Sequence, residues 1–332
     1  MKFFDKKILG FLISIIFIVL IVHQMNISKT LEAFRHINIL YVIVAVPIYY
    51  SAFLTRGYRW RVILADQNLL KLWSLVSSLF IGFTVNCLLP ARMGELYRAH
   101  LFGKKENIKR SKVFASIVLE RVFDGMILLF ILLLLIVFFY SKPWLYKLAC
   151  VAACIFVGGF IVLLIFSKYG NSEFFQNNID KALEKLPINL QKYLKLLLNQ
   201  FSVFIEGLNV FKSFKSLLIA FILSLIIWII ESSVVFLIVS GFGIHFNLIS
   251  AIFVMCVTAF STMIPAGPAS IGPYQFGYIL AMSVFNIPKE MAFAISIFNQ
   301  FFTIIFITLA GLFFMWKDHI NMKELETDME TS

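Results

Sequence analysis

Two groups of charged residues lie in an otherwise apolar chain with a spacing that could bind an anion. In the first, Asn86 to Arg98, the arginines Arg92 and Arg98 flank Glu95. If the segment after Arg92 is helical, Glu95 is within side-chain reach of both arginines. A guanidinium binds a phosphate through two parallel charge-assisted hydrogen bonds. The pattern predicts a phosphate-binding group, and the alternative is a basic loop that only orients the chain in a membrane.

The second group is Glu120, Arg121 and Asp124, inside the apolar run 113–140. Glu120 and Asp124 are four residues apart and share a helix face, and Arg121 can reach Asp124. A charged residue at the centre of a membrane helix costs about 2.5–3.5 kcal/mol on insertion scales, so it normally faces a partner or a wet cavity. We therefore expect a polar cavity here, with Arg121 extending to the membrane surface as the alternative.

Further candidates lie in three other segments. Glu231 is isolated in the apolar run 216–241, and it is either a proton carrier or the partner of an arginine elsewhere. Arg56 and Arg59 lie at the end of an apolar run among aromatic residues, which is typical of an interfacial anchor, while contact with a lipid headgroup is the alternative.

The third segment, 265–275, is rich in Pro and Gly and contains Ser270 and Gln275. We expect unpaired backbone amides here that complete a polar cavity opposite Arg92, because non-helical backbone inside a membrane must line protein or water. A purely structural kink is the alternative.

The elements that position these residues follow from the composition, which is 61% hydrophobic and 14% charged. A soluble domain could not bury this much apolar side chain, and the apolar runs lack the strict alternation of a membrane β-barrel. The sequence predicts an all-α polytopic membrane protein. The net charge of +11 then indicates membrane topology rather than nucleic-acid binding. The four cysteines and five histidines lack metal-site spacing, so we expect no metal and no cofactor.

We predict about six full transmembrane helices and two opposed re-entrant helical hairpins within a single membrane domain, 1–332. The predicted spans are 8–23, 39–56, 113–140, 145–166, 216–241 and 291–316. The stretches 73–90 and 248–285 are broken by Pro and Gly and are predicted to be hairpins. With both as hairpins, 23 of the 29 lysines and arginines face the cytoplasm together with both termini.

The remaining segments are assigned by composition. The first span is retained rather than cleaved as a signal peptide, because no small-residue cleavage site follows it. An amphipathic cytoplasmic insertion is predicted at 167–215 and a disordered tail at 317–332. The first hairpin with its charged motif covers 73–100. Leu88–Ala91 and Met263–Ala266 resemble each other, which is the weak internal symmetry of an inverted repeat.

Three segments of the chain resemble the lysylphosphatidylglycerol synthase transmembrane-region family, also called flippase-like membrane proteins. They are the stretch Asn86 to Arg98, the sequence Glu120-Arg121-x-x-Asp124 and the segment around Gly272. The resemblance covers about residues 8–316. It implies that the matching polar positions bind substrate: Arg92, Glu95, Arg98, Glu120, Arg121 and Asp124. Gln275 stands where the family usually has Glu, and no soluble acyltransferase-like domain follows the membrane region in this chain.

The resemblance implies a carrier that moves a phosphate-bearing amphipathic lipid across the cytoplasmic membrane. Its expected partners are the membrane and a lipid with an anionic headgroup, with no nucleic acid. A membrane-embedded enzyme, or an enzyme accessory, that acts on lipid-linked sugars is the first alternative, in which Glu120 and Asp124 are the acid–base or metal-binding pair. A membrane scaffold that docks a partner through the 167–215 insertion is the second.

Overall fold

The computed structural model describes residues 14–19, 27–64, 70–89, 93–139, 142–169, 204–205, 207–208, 213–264 and 266–320. These residues form helices and short connections, which confirms the all-α class for the described part of the chain. The helices are α1 (Ile27–Ala33), α2 (Ile39–Leu64), α3 (Leu72–Leu88), α4 (Met93–Glu106), α5 (Arg110–Phe138), α6 (Pro143–Tyr169), α7 (Phe214–Gly241), α8 (Leu248–Ser261), α9 (Pro273–Ser283) and α10 (Lys289–Lys317).

Five helices, α2, α5, α6, α7 and α10, are long and apolar enough to cross a membrane. Each has 26 to 29 residues, or about 40 Å at 1.5 Å per residue, which exceeds a bilayer core of about 30 Å. Five of the six predicted spans therefore coincide with helices that could cross a membrane. The sixth, 8–23, lies mostly outside the described residues, of which 14–19 are helical. Most of 167–215 and of the tail also lies outside them.

The chain divides into two compact units, and the first comprises 1–55, 76–98 and 226–332. Within it, α3 and α4 pack closely through Gly82 and Gly94. A Cβ atom on Gly94 would lie 1.9 Å from the Gly82 carbonyl oxygen, so no larger residue fits without movement. The Asn86 Oδ1 accepts a 2.7 Å hydrogen bond from the Gly94 amide, which is one of the free N–H groups at the start of α4. The predicted hairpin 73–90 is instead one continuous helix, α3, which packs tightly against the following helix α4. Re-entry of this pair into the bilayer stays a prediction.

The second predicted hairpin, α8 and α9, packs through Gly277, where a Cβ atom would lie 2.1 Å from the Ser261 Oγ. The connection between the helices is held from outside the hairpin by Ser14. Its hydroxyl donates to the Ile271 carbonyl at 2.7 Å and accepts from the Gly267 amide at 2.9 Å. Gln275 Oε1 accepts from the Gly272 amide at 2.7 Å. The expectation of unpaired amides is wrong for these residues, because Ser14 and Gln275 satisfy them.

The second unit comprises 56–75 and 99–225. The core of this unit packs α5 against the end of α2 and parts of α6 and α7. Its buried residues are Ile63, Ala115, Leu119, Phe123, Leu163, Leu208 and Ala220. α2 continues to Leu64, eight residues past the predicted end of its span, and carries Trp60 into this unit.

Trp60 is fully buried, donates a 2.9 Å hydrogen bond from Nε1 to the Ser116 hydroxyl, and lies 4.6 Å from the Phe102 ring. Trp60 is one of the aromatic residues beside Arg56 and Arg59 that suggested an interfacial anchor, and it lies inside the protein instead. The apolar ring is buried in protein, and its one polar atom has a partner there, so the side chain has no need of the membrane interface.

We predict that Gly94→Ala destabilises the protein by about 1–3 kcal/mol, the usual range for overpacking a close contact. The matched control is Gly158→Ala, because no atom lies within 4 Å of a Cβ atom at that position. Gly158→Ala should leave stability unchanged or raise it by up to about 1 kcal/mol, since Ala favours helix over Gly. Thermal unfolding in detergent measures both. Equal midpoints for the two variants would contradict the close packing of α3 on α4.

Candidate functional site

The guanidinium of Arg59 is fully buried in the second unit and contacts two helices. Its Nη1 donates to Asp124 Oδ1 on α5, and its Nη2 lies 3.4 Å from Asp124 Oδ2. The same Nη2 lies 3.1 Å from Glu120 Oε1. On α7, the Ser224 hydroxyl accepts a 2.8 Å hydrogen bond from Nη1. Arg59 therefore binds two carboxylates and a hydroxyl inside the protein and does not lie at the protein surface as an interfacial anchor would. Its contact with a lipid headgroup stays a prediction.

The α5 helix presents both carboxylates to Arg59 because Glu120 and Asp124 are separated by about one turn. Their side chains are 0% and 5% exposed. Arg121, on the adjacent position of the helix, donates to Glu120 Oε1 and lies 3.5 Å from Asp124 Oδ2, but its side chain is 27% exposed. The structure thus brings together the three charged residues that the sequence predicted to share a site, and Arg121 is the accessible member.

Arg56 lies one turn before Arg59 on α2 and is also buried, at 5% exposure. Its positive charge acts on the Asp124 carboxylate. The cluster thus has five side chains, with guanidinium groups from Arg56, Arg59 and Arg121 and carboxylates from Glu120 and Asp124. When both carboxylates are ionised, the cluster has one surplus positive charge.

Ser224 is the member of the site that the sequence did not indicate. Its hydroxyl accepts from Arg59 while donating to the Ala220 carbonyl at 2.8 Å, four residues earlier on α7. A serine in an apolar helix commonly bonds its own backbone in this way. Such a residue therefore gives no sequence signal until its second partner is known.

The first charged motif lies partly outside the described residues, since Arg92 is not among them. Asn86, Glu95 and Arg98 belong to the first unit, on the hairpin of α3 and α4. Arg98 is 2% exposed, and its Cβ would lie 3.0 Å from a Cβ on Gly82. Asn86 supports the start of α4, as described above. The phosphate-binding role of Arg92, Glu95 and Arg98 stays a prediction.

The remaining candidates, Glu231, Ser270 and Gln275, also belong to the first unit. Gln275 is buried; its Nε2 donates to Gln300 Oε1, and its Oε1 accepts from the Gly272 amide. An ionised glutamate could not donate to Gln300, so the amide at this position suits the neutral network around it. Ser270 has a left-handed backbone, with φ of 55°. Gln275 therefore stabilises the fold of the hairpin connection.

We predict that Arg59→Met destabilises the protein by about 3–5 kcal/mol, because it removes a shared partner from two buried carboxylates. The double variant Arg59→Met/Asp124→Asn should regain part of the lost stability, because it has one unpaired buried carboxylate fewer than Arg59→Met. The control is Arg121→Gln, which removes a partly exposed guanidinium and leaves Arg59 in place. Chemical unfolding in detergent compares five proteins, which are the wild type, the three single variants and the double variant Arg59→Met/Asp124→Asn. Arg59 does not organise the cluster if Arg59→Met and Arg121→Gln lower the free energy of unfolding by the same amount. The same conclusion follows if Asp124→Asn destabilises the Arg59→Met protein as much as it destabilises the wild type.

Similar proteins come mainly from archaea. A UPF0104 membrane protein of Methanocaldococcus jannaschii, MJ1595, is 24% identical over 92% of this chain and 93% of its own. A UPF0104 membrane protein of Methanothermobacter thermautotrophicus is 25% identical over 93% of this chain and 92% of its own. The glycosyltransferase AglD of Haloferax volcanii is 31% identical over 116 residues, which are 35% of this chain and 19% of AglD.

No solved structure matches the chain significantly. The family model described as the lysylphosphatidylglycerol synthase TM region matches residues 7–311, which include both hairpins and all five long helices apart from the last six residues of α10. The matching relatives are likewise membrane proteins by name. The chain is therefore a multi-pass membrane protein that belongs to the lysylphosphatidylglycerol synthase transmembrane-region family.

Proposed function

We propose that the protein is a flippase-like carrier that moves an amphipathic lipid with a phosphate-bearing headgroup across the cytoplasmic membrane. The observation that supports it is the buried cluster of three arginines and two carboxylates on membrane helices, in which Arg121 is accessible. Ionisable residues within membrane helices commonly mark substrate pathways. Arg121, the accessible guanidinium of the cluster, suits an anionic headgroup.

Arg121 is the residue that we expect to bind the phosphate. Its guanidinium offers two parallel donors to a phosphate, a geometry that lysine lacks. Both carboxylates that contact Arg121 also contact Arg59. A phosphate can therefore replace a carboxylate at Arg121 without leaving that carboxylate unpaired in the protein interior.

This exchange makes binding reversible, as a carrier requires. A headgroup that crosses the membrane must gain enough from the site to leave water, and it must then be released on the other side. Glu120 and Asp124 compete with the phosphate for Arg121, which limits the affinity. Arg59 holds the carboxylates in place throughout, because its fully buried guanidinium contacts both of them.

The proposal includes a membrane arrangement. Both termini face the cytoplasm, and the hairpins α3–α4 and α8–α9 re-enter the bilayer from opposite faces. The charge distribution supports this arrangement, because 21 of the 29 lysines and arginines then lie on the cytoplasmic side, while Arg92 and Arg98 lie within the first hairpin. The lengths of α3, α8 and α9, 17, 14 and 11 residues, suit segments that turn back within the membrane.

The second candidate is an enzyme, or an enzyme accessory, that acts on lipid-linked sugars. The local similarity to the glycosyltransferase AglD supports it. In this case Glu120 and Asp124 would act as acid and base or hold a metal. Both are engaged by Arg59, so either role requires a rearrangement that the carrier does not need. Metal-dependent turnover of a polyprenyl-phosphate sugar by the purified protein would favour the enzyme, and its absence would exclude this reaction.

The carrier is tested by lipid translocation in proteoliposomes that contain labelled anionic, cationic or polyprenyl-phosphate lipids. We expect rapid movement of phosphate-bearing anionic lipid, slowed roughly tenfold or more by Arg121→Gln, which removes charge-assisted hydrogen bonds of about 1.5–3 kcal/mol. The matched control is Arg110→Gln, because Arg110 lies exposed at the start of the same helix. It should translocate lipid at the wild-type rate.

Two results would contradict the carrier. One is the absence of movement for every lipid class in protein shown to be folded. The other is movement that Arg121→Gln and Arg110→Gln slow equally, which would indicate that overall charge matters and that the cluster does not. The variant Arg92→Ala belongs in the same series, and on the sequence prediction it also slows translocation.

A further inference from the structure

Two segments that are far apart in the chain meet in the second unit, at the start of α3 and the end of α4. The Ser74 hydroxyl on α3 donates a hydrogen bond to Glu106 Oε1 on α4, across 32 residues of the chain. Ser74 is buried, so its side of the bond is shielded from water. The bond therefore holds the residues next to Ser74 beside the residues next to Glu106.

The turn that follows α4 has a defined shape. The Ile108 amide donates to the Gly103 carbonyl at 2.9 Å, and the Lys112 amide donates to the Lys109 carbonyl at 3.0 Å. A Cβ atom on Gly103 would lie 2.8 Å from the Ile108 carbonyl oxygen, so a larger residue does not fit there without movement. Asn107 has a left-handed backbone, with φ of 55°, which asparagine adopts more readily than most residues. The side chains of this turn therefore have fixed starting points between α4 and α5.

The two segments, 71–74 and 104–109, present positive charge. Their four lysines are all exposed, and they are Lys71, Lys104, Lys105 and Lys109. Of these, Lys71, Lys104 and Lys109 form no ion pair with a described residue. Glu106 is the one acidic residue in the two segments, and its carboxylate already accepts the bond from α3. This part of the second unit therefore offers several ammonium groups to its surroundings.

An exposed tryptophan accompanies the lysines. Trp73 lies beside Ser74 at the start of α3, and its side chain is 64% exposed. Tryptophan has a large apolar ring and one polar N–H, and it is enriched at the headgroup level of membranes. Lys109 directly precedes α5, which is long and apolar enough to cross a membrane. The lysines and Trp73 are therefore grouped near the end of a membrane-crossing helix.

We propose that Lys71, Trp73, Lys104, Lys105 and Lys109 form a lysine surface that binds the anionic headgroups of one bilayer leaflet. Each lysine near an anionic membrane surface adds to the attraction, and the indole ring enters the headgroup region. Lysines that only orient a chain in the membrane need no fixed arrangement in the fold. The bond between Ser74 and Glu106 joins two lysine-bearing segments, and this favours a binding surface over that role.

A bilayer surface suits these residues better than a single bound phosphate does. The lysines are exposed to water, where one ion pair between exposed groups contributes little. Four lysines on two segments can contact several headgroups at once, so their small contributions add up. This inference goes beyond the proposed carrier and rests only on the location of the chain in a membrane.

The test measures quenching of Trp73 fluorescence by brominated lipids in bilayers that contain the full-length protein. Brominated phosphatidylserine and brominated phosphatidylcholine are compared at equal mole fraction. The Trp73 signal is the difference between each protein and its Trp73→Phe counterpart. We expect the wild type to prefer the anionic lipid at Trp73 roughly tenfold. Lys104→Gln/Lys109→Gln should lower that preference roughly fivefold or more, the effect of about one lysine near the surface.

The matched control is Lys142→Gln/Lys147→Gln, which removes the same charge. These two lysines are exposed beyond the opposite end of α5, at the start of α6, so the control should keep the wild-type preference. A second measurement uses the wild type alone. Raising the salt concentration from about 0.1 M to 1 M shortens the Debye length from about 10 Å to 3 Å and should remove most of the preference.

Equal quenching by the two lipids in the wild type overturns the lysine surface, and so does the absence of Trp73 quenching by either lipid. A preference that both double variants lower equally reports overall charge and also overturns it. A preference that persists at about 1 M salt shows that the attraction is not electrostatic, with the same consequence. A preference lost in Lys104→Gln/Lys109→Gln and at high salt, but kept in Lys142→Gln/Lys147→Gln, supports it. Translocation is not measured here, so the carrier and the lysine surface can fail separately.

Discussion

The second unit depends on one buried guanidinium. Arg59 joins α2 to α5 through Glu120 and Asp124, and to α7 through Ser224. A charged group is expensive to bury, and it is tolerated here because two carboxylates and a hydroxyl surround it. Removing Arg59 would take a shared partner from two buried carboxylates. The positions of three membrane helices are therefore tied to one set of polar contacts, which van der Waals packing between apolar helices alone could not specify.

The same contacts determine what the site can bind. Because Arg59 holds both carboxylates, Arg121 can exchange its partners without exposing a buried charge.

Most of the helical architecture could be predicted from the sequence, because unbroken apolar runs in a membrane have no alternative to helix. The shared face of Glu120 and Asp124 follows from their spacing. The partner of these carboxylates could not be predicted, because Arg59 is 65 residues from Asp124 in the chain and lies in a segment typical of an interfacial anchor. The bonds of Ser14 to the connection of the second hairpin, across more than 250 residues, are equally invisible to local patterns. Hydropathy gives the length of a helix but not the direction in which its polar residues face.

The most direct test of the phosphate site is a solid-state NMR measurement of dipolar coupling between lipid phosphorus and arginine side-chain nitrogen. The protein would be labelled with nitrogen-15 at arginine and placed in bilayers that contain an anionic phospholipid. We predict a phosphorus–nitrogen contact that disappears in Arg121→Gln and persists in Arg110→Gln. A contact that survives in Arg121→Gln and disappears in Arg110→Gln, or no contact at all in the wild type, would contradict the assignment of Arg121 as the phosphate-binding residue.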